Sequence, residues 1–168
     1  QYFVRSGSGM IRMRIDEVFS NILTERERDE LASLIYNPDA EMARREKSEE
    51  DFNSWAKVSI RRLIAVCRIV SNKYTRSKVK KRLPKGSAYI IDELLFTDDA
   101  QDRHKYYDEI IDSIIEYGAA RDFIIDITET ISNLTVDRLH IIGDIFDRGP
   151  KSHRIMDYLM ANRGVDIQ

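Results

Sequence analysis

Val136-Asp137-Arg138-Leu139-His140-Ile141-Ile142-Gly143-Asp144-Ile145-Phe146-Asp147-Arg148-Gly149-Pro150 is where the sequence changes its pattern. The first seven of these residues form a short, β-branched run closed by Gly-Asp, which predicts a buried strand. The loop after it ends on Pro150, a residue that the first turn of a helix tolerates. Ile155, Met156, Leu159 and Met160 then recur at helical spacing up to Asn162-Arg163-Gly164. Val165-Asp166-Ile167 opens a second strand. Strand, loop, helix and strand predict a βαβ unit truncated in its second strand, and open α/β sheets place their chemistry in loops at the carboxyl ends of strands.

Upstream of residue 135 the periodicity is helical throughout. Ile11, Ile15, Val18, Phe19 and Ile22 define one face of a first amphipathic helix. Thr24-Glu25-Arg26-Glu27 is a capping box, in which a threonine oxygen accepts from the third helical N–H while the glutamate reaches back. The helix it opens, with Leu31, Leu34 and Ile35 inside, stops near Asn37-Pro38, because proline pushes its predecessor out of helical geometry. Residues 39–50 carry seven charges between Glu41 and Glu50 and read as a solvated helix face or a linker. Phe52, Trp55, Ala56, Ser59, Leu63, Val66, Cys67 and Val70 form one stripe of a long helix from about Ser48 to Asn72, with Arg61, Arg62 and Arg68 opposite. Pro84-Lys85-Gly86 punctuates the chain. Tyr107, Ile110, Ile111, Ile114 and Ile115 predict a further helix closed by Gly118, and Phe123, Ile124, Ile127, Ile131 and Leu134 another.

Composition agrees with a mainly α chain. The 168 residues hold only 7 Gly and 3 Pro, which excludes collagen-like, low-complexity and turn-rich all-β classes. A net charge of -2 removes any global electrostatic case for nucleic acid or a membrane surface. The exception is local: residues 73–85 contain seven basic residues (Lys73, Arg76, Lys78, Lys80, Lys81, Arg82 and Lys85) and no acid. Nucleic-acid recognition normally adds several aromatic or base-reading groups, and only Tyr74 is near. A solvated stretch, or a contact with an acidic surface elsewhere, is therefore the preferred reading, with Asp92, Glu93, Asp98, Asp99 and Asp102 as a local source of acidic partners. The single cysteine, Cys67, lies in an apolar run and points to a reducing compartment, hence a cytoplasmic protein. No apolar stretch is long enough to span a membrane. Gln1 at one end and the cut strand at the other predict an internal piece of a longer protein.

Between Gly143 and Gly149 the loop presents two carboxylates and a guanidinium. Carboxylate oxygens suit hard divalent cations and Mn²⁺, and an arginine fork matches phosphate oxygens. Metal-assisted phosphate-ester hydrolysis is the natural hypothesis. An Asp147–Arg148 surface ion pair would account for those two residues separately, but the full Gly-Asp-x-x-Asp-Arg-Gly string behind a hydrophobic strand outweighs it.

That string resembles the second signature of the calcineurin-like metallophosphatases. His140-Ile141-Ile142, Pro150, Met156-Asp157-Tyr158-Leu159-Met160 and Val165-Asp166-Ile167-Gln168 narrow the resemblance to the bacterial class III fructose-1,6-bisphosphatases. Ile15-Asp16-Glu17-Val18-Phe19, Leu34-Ile35-Tyr36, Leu83-Pro84-Lys85-Gly86 and Ile90-Ile91-Asp92-Glu93-Leu94-Leu95 resemble the same family, so the likeness runs from about residue 6 to the end.

The resemblance implies a helical insertion over residues 1–134 and part of a metallophosphatase α/β sandwich over residues 135–168. It implies that Asp144 bridges two metal ions, that Asp147 orients a downstream catalytic histidine, and that Arg148 grips the substrate phosphate. The implied reaction is Mn²⁺-supported hydrolysis of fructose 1,6-bisphosphate to fructose 6-phosphate and phosphate, in gluconeogenesis. The superfamily's first signature, Asp-x-His, is matched only by Asp102-Arg103-His104, in a charged stretch with no strand before it, and that string reads as a solvated helix start. The family's own first motif is expected just before residue 1 and its Gly-Asn-His motif just after Gln168. His140 reads as a structural strand residue and His153 as exposed. The chain alone is therefore expected to be inactive. Phosphoprotein or dinucleotide polyphosphate hydrolysis, and a non-enzymatic helical interaction module, stay open as alternatives, as does a homo-oligomer formed through the helical region.

Overall fold

The computed structural model describes residues 2–46, 49–96, 101–135, 139–141, 153–154, 157 and 165–167. The chain divides into two compact units, Gln1–Thr135 and Val136–Gln168. The first is helical. Its elements are α1 (Tyr2–Phe19), α2 (Glu25–Tyr36), α3 (Pro38–Arg45), α4 (Glu49–Ser71), α5 (Arg76–Lys80), α6 (Ala88–Phe96), α7 (Gln101–Glu116) and α8 (Ala120–Thr135). The second contains two short strands, β1 (Leu139–Ile141) and β2 (Val165–Ile167). The chain is thus mainly α, as its periodicity and its poverty in Gly and Pro predict.

The helical unit is organised around α4, which packs most extensively on α8 and also meets α1, α6 and α7. Leu63, Ile64, Val66 and Cys67 of α4 and Ile124, Ile127, Ile131 and Leu134 of α8 are fully buried in one continuous core with Ile15, Met42, Ile91 and Ile111. All of these but Ile64, Met42 and Ile91 are positions that the helical stripes select, because residues three and four apart share a face. Burial leaves the Cys67 thiol inert by pushing its pKa up to about 12.

Local signals set the helix ends. Thr24 accepts from the Glu27 N–H and the Glu27 side chain returns to the Thr24 N–H at 3.0 Å, completing the capping box. Those bonds, and after them the Arg62 guanidinium of α4 at 3.1 Å, hold the Glu27 carboxylate below its ordinary value. Thr24→Ala is expected to lower stability by about 1 kcal/mol, read as a shift in the urea midpoint with an unchanged slope; no shift would show that the cap is redundant. At the end of α7, Gly118 adopts φ 69°, the left-handed conformation that closes a helix and that a side chain would disfavour.

Four details depart from the sequence reading. Ile22 is not on the first helix: α1 ends at Phe19, the chain turns, and Ile22 is 73% exposed while Leu23 packs on the core. The charged segment after Pro38 is more than a solvated face or linker, since α3 buries Met42 completely and most of Glu41. Pro38 both ends α2 and starts α3, because its missing N–H costs nothing in a first turn. Helices α5 and α6 flank the Pro84–Gly86 turn, where only punctuation was legible. Arg68 is half-buried rather than part of a free basic face: it donates to the Leu94 carbonyl at 2.7 and 3.2 Å and lies over the Tyr107 ring.

In the second unit β1 and β2 pair in parallel, with Leu139 opposite Val165, His140 opposite Asp166 and Ile141 opposite Ile167. Parallel neighbours require a long crossover, supplied here by residues 142–164, of which His153, Arg154 and Asp157 are helical.

Candidate functional site

Asp144, Asp147 and Arg148, with Gly143, Gly149 and Pro150, lie outside the described residues. What the structure describes is their immediate frame. In the sequence Gly143 comes two positions after Ile141, the last residue of β1, and β2 lies parallel to that strand. The carboxyl ends of the strands are the edge at which parallel sheets gather chemistry. His140 sits on β1 and pairs in register with Asp166, while His153 is helical and exposed, as the sequence reading has it. Helix α7 starts at Gln101, so Asp102-Arg103-His104 falls in its first turn. Among the described residues no group of three or more His, Cys, Asp or Glu side chains could hold a metal ion.

The basic stretch now has defined partners. Arg76 donates to both carboxylate oxygens of Asp92, at 3.2 and 2.7 Å, and Lys80 approaches the same carboxylate at 3.1 Å. These two cations are thus not merely solvated, and of the local acids that the sequence offers Asp92 is their partner. Burial pushes the Asp92 carboxyl up, but the hydrogen bonds and charges of Arg76 and Lys80 outweigh it and leave the carboxyl below its ordinary value. A carboxylate lowered in the folded state stabilises above its unfolded pKa, and that contribution disappears as pH falls through the folded value. Asp92→Asn is therefore expected to melt a few degrees below the parent at pH 7, the gap closing as the pH drops below about 4; a constant gap across that range would contradict the ion-pair account.

Three other members of the stretch turn toward α8. Lys73 donates to the Thr135 carbonyl at 3.2 Å, the Tyr74 hydroxyl to the Leu134 carbonyl at 3.2 Å, and Arg82 to the Asn133 carbonyl at 3.2 Å and to the Tyr74 hydroxyl oxygen at 3.0 Å. Lys73, Lys78 and Arg82 also surround the Tyr74 ring, with cations 4.7–5.1 Å from its centre. Sequence spacing could not reveal these contacts, because the acceptors are main-chain oxygens more than fifty residues away.

A cleft of about 670 Å³ between α2, α3 and α4 is lined by Arg26, Arg44, Arg45, Asp29, Glu30, Glu41, Asp51 and Trp55. Arg26 and Arg45 both pair with Glu30, and Arg44 pairs with Glu41. Its cations are thus already committed to carboxylates on its own walls. No helix among the described residues is long and apolar enough to cross a membrane.

The first unit is thus a helical body, and in the second the phosphatase-like string follows β1 in the sequence. The sequence matches the Firmicute fructose-1,6-bisphosphatase family over residues 1–168 and belongs to that family. It is 47% identical over 168 residues to a protein of Clostridium novyi (strain NT) named class 3 fructose-1,6-bisphosphatase, covering 99% of this chain and 25% of that one. Proteins of the same name from Clostridium acetobutylicum and Parabacteroides distasonis are 49% and 46% identical over the same shares of both chains. The chain therefore spans about a quarter of the length of the curated relatives it matches. No solved structure matches it.

Proposed function

We propose that this chain is part of a metal-dependent phosphatase that hydrolyses fructose 1,6-bisphosphate to fructose 6-phosphate and phosphate. The carrying observation is the family match over all 168 residues, shared with relatives that bear that name. In this reading residues 1–134 are a helical insertion, and residues 135–168 open the α/β sandwich of a metallophosphatase with a βαβ unit. The parallel pairing of β1 with β2 supports that unit.

Each site residue then has one task. Asp144 would hold the metal, and its carboxylate oxygens suit Mn²⁺ in kind. One carboxylate does not complete a dinuclear centre, and in this reading further ligands join Asp144 there. When bound, Mn²⁺ supplies Lewis-acid polarisation of a phosphoryl oxygen. Arg148 binds the phosphate through a planar fork that matches two oxygens at once. Asp147 orients the histidine that protonates the leaving oxygen. The buried thiol fits a reducing, cytoplasmic setting.

The test is phosphate release by the full-length protein with Mn²⁺ on a panel of fructose 1,6-bisphosphate, a phosphopeptide and a dinucleotide polyphosphate. Preference for the sugar bisphosphate is expected, with a raised KM in Arg148→Ala. Preference for another member of the panel would keep the loop chemistry and overturn the substrate. Release by the isolated 168-residue chain would overturn its incompleteness.

A further inference from the structure

Three cations converge on one ring in the helical unit. The charged groups of Lys73, Lys78 and Arg82 each lie no more than 5.1 Å from the centre of Tyr74. No two of them are therefore more than about 10 Å apart, a separation at which like charges still repel at ordinary ionic strength. The C-terminal end of α8 answers part of this charge through the carbonyls that Lys73 and Arg82 reach. A helix end is worth about half a negative charge, against three full positive ones.

The donors are not used up either. Arg82 makes its bonds to the Tyr74 hydroxyl and the Asn133 carbonyl through Nη1 alone. The Nε and Nη2 edge of the guanidinium is left, and such an edge can grip two oxygens of a phosphate at once. The Lys78 ammonium sits over the Tyr74 ring and has no hydrogen-bond acceptor among the described residues. Lys81 and Lys85 are exposed and pair with no carboxylate among those residues. Arg76 and Lys80 differ, since Asp92 answers both. Charge also limits the size of a partner. All 29 acidic residues of the chain lie outside residues 73–85, where they face 20 basic ones. A long polyanion crossing the patch must also lie along a molecule of its own sign, whereas a compact anion meets the cations alone. One tyrosine is too few for stacking along a strand of bases.

We propose that Arg82, Lys78 and Lys73, gathered around Tyr74, form a binding site for a compact phosphate-type anion with at least two negative charges. Lys81 and Lys85 raise its local concentration. Capping of α8 and anion binding are compatible, because Nη1 of Arg82 serves the first and the remaining edge of the guanidinium the second. The site is built wholly from the helical unit, so the inference does not rest on the function proposed above.

The experiment treats the full-length protein, stripped of metal and kept in chelator, with acetic anhydride at fixed ionic strength. Acetylation of each lysine is followed by mass spectrometry with and without pyrophosphate. At pyrophosphate equal to twice its Kd, Lys73 and Lys78 are expected to react about threefold more slowly. Lys105, exposed on α7, is expected to react at an unchanged rate. Arg82→Gln raises the pyrophosphate concentration that half-protects Lys78 about tenfold, the scale of a lost hydrogen bond between charged groups. Lys78→Gln does the same for Lys73 by about three- to tenfold, and it covers the case in which Arg82→Gln loosens the end of α8. Equal slowing at Lys105 would mark a general ionic atmosphere, and no slowing at either site lysine would mark a solvated patch. Stronger protection by single-stranded DNA or by an acidic peptide, at equal concentration of charge, would mark a macromolecular partner. Each of these three results overturns the proposal.

Discussion

Asp144→Asn in the full-length protein is expected to cut phosphate release from fructose 1,6-bisphosphate at least about a hundredfold and to raise the Mn²⁺ concentration needed for half-maximal rate. The substitution keeps the size and shape of the side chain and removes one negative charge and one strong oxygen donor. A hard divalent ion depends on that donor. Losing even an outer partner of a metal ligand costs about 10–100-fold in affinity or activity, and losing a group that stabilises developing charge costs about 10²–10³ in kcat. A direct ligand is not expected to cost less. Calorimetric titration of Mn²⁺ separates the two effects, and unchanged far-ultraviolet circular dichroism excludes a folding defect. Near-normal kinetics together with unchanged metal affinity would remove Asp144 from the metal site.

The second large effect is structural. Leu63→Ala is expected to lower the unfolding free energy of the helical unit by roughly 2–5 kcal/mol, since it removes a buried side chain and leaves a cavity that close packing fills only in part. Leu63 is 0% exposed and lies in the middle of α4, the helix on which most of the others pack. Against a typical total of about 5–15 kcal/mol, such a loss moves the urea midpoint far. Tyr117→Ser, at a position 86% exposed, is the matched control and is expected to change little. A Leu63→Ala shift no larger than that of the control would mean that α4 is not the centre of the core.

The long helices were legible because their burial is one-sided. In α4 and α8 apolar residues recur at three and four, and those positions are the buried ones. The reading weakened where that contrast fades. Helix α6 runs Ala88-Tyr89-Ile90-Ile91-Asp92-Glu93-Leu94-Leu95-Phe96, nearly apolar along its length, and its one buried acid, Asp92, is partnered from another element. Helix α5 has five residues, too few to show a period. Helix α3 hid behind its charges because a single residue, Met42, carries its contact with the core. Arg68 and Arg82 looked solvated because their acceptors are backbone carbonyls, which every residue carries and no pattern advertises. Asp144, Asp147 and Arg148 stood out in the opposite way, as a string rather than as a period, and they lie outside the described residues.

Cys67 offers a use unrelated to catalysis. Because burial pushes its thiol up to about 12, the thiol stays protonated at pH 8 while the core is closed. A thiol reagent added to the native chain therefore waits for α4 to open, and its rate of attachment becomes a stopwatch on that opening. The chain carries its own internal clock for breathing of its central helix, and as the sequence's single cysteine it reports without interference from a second.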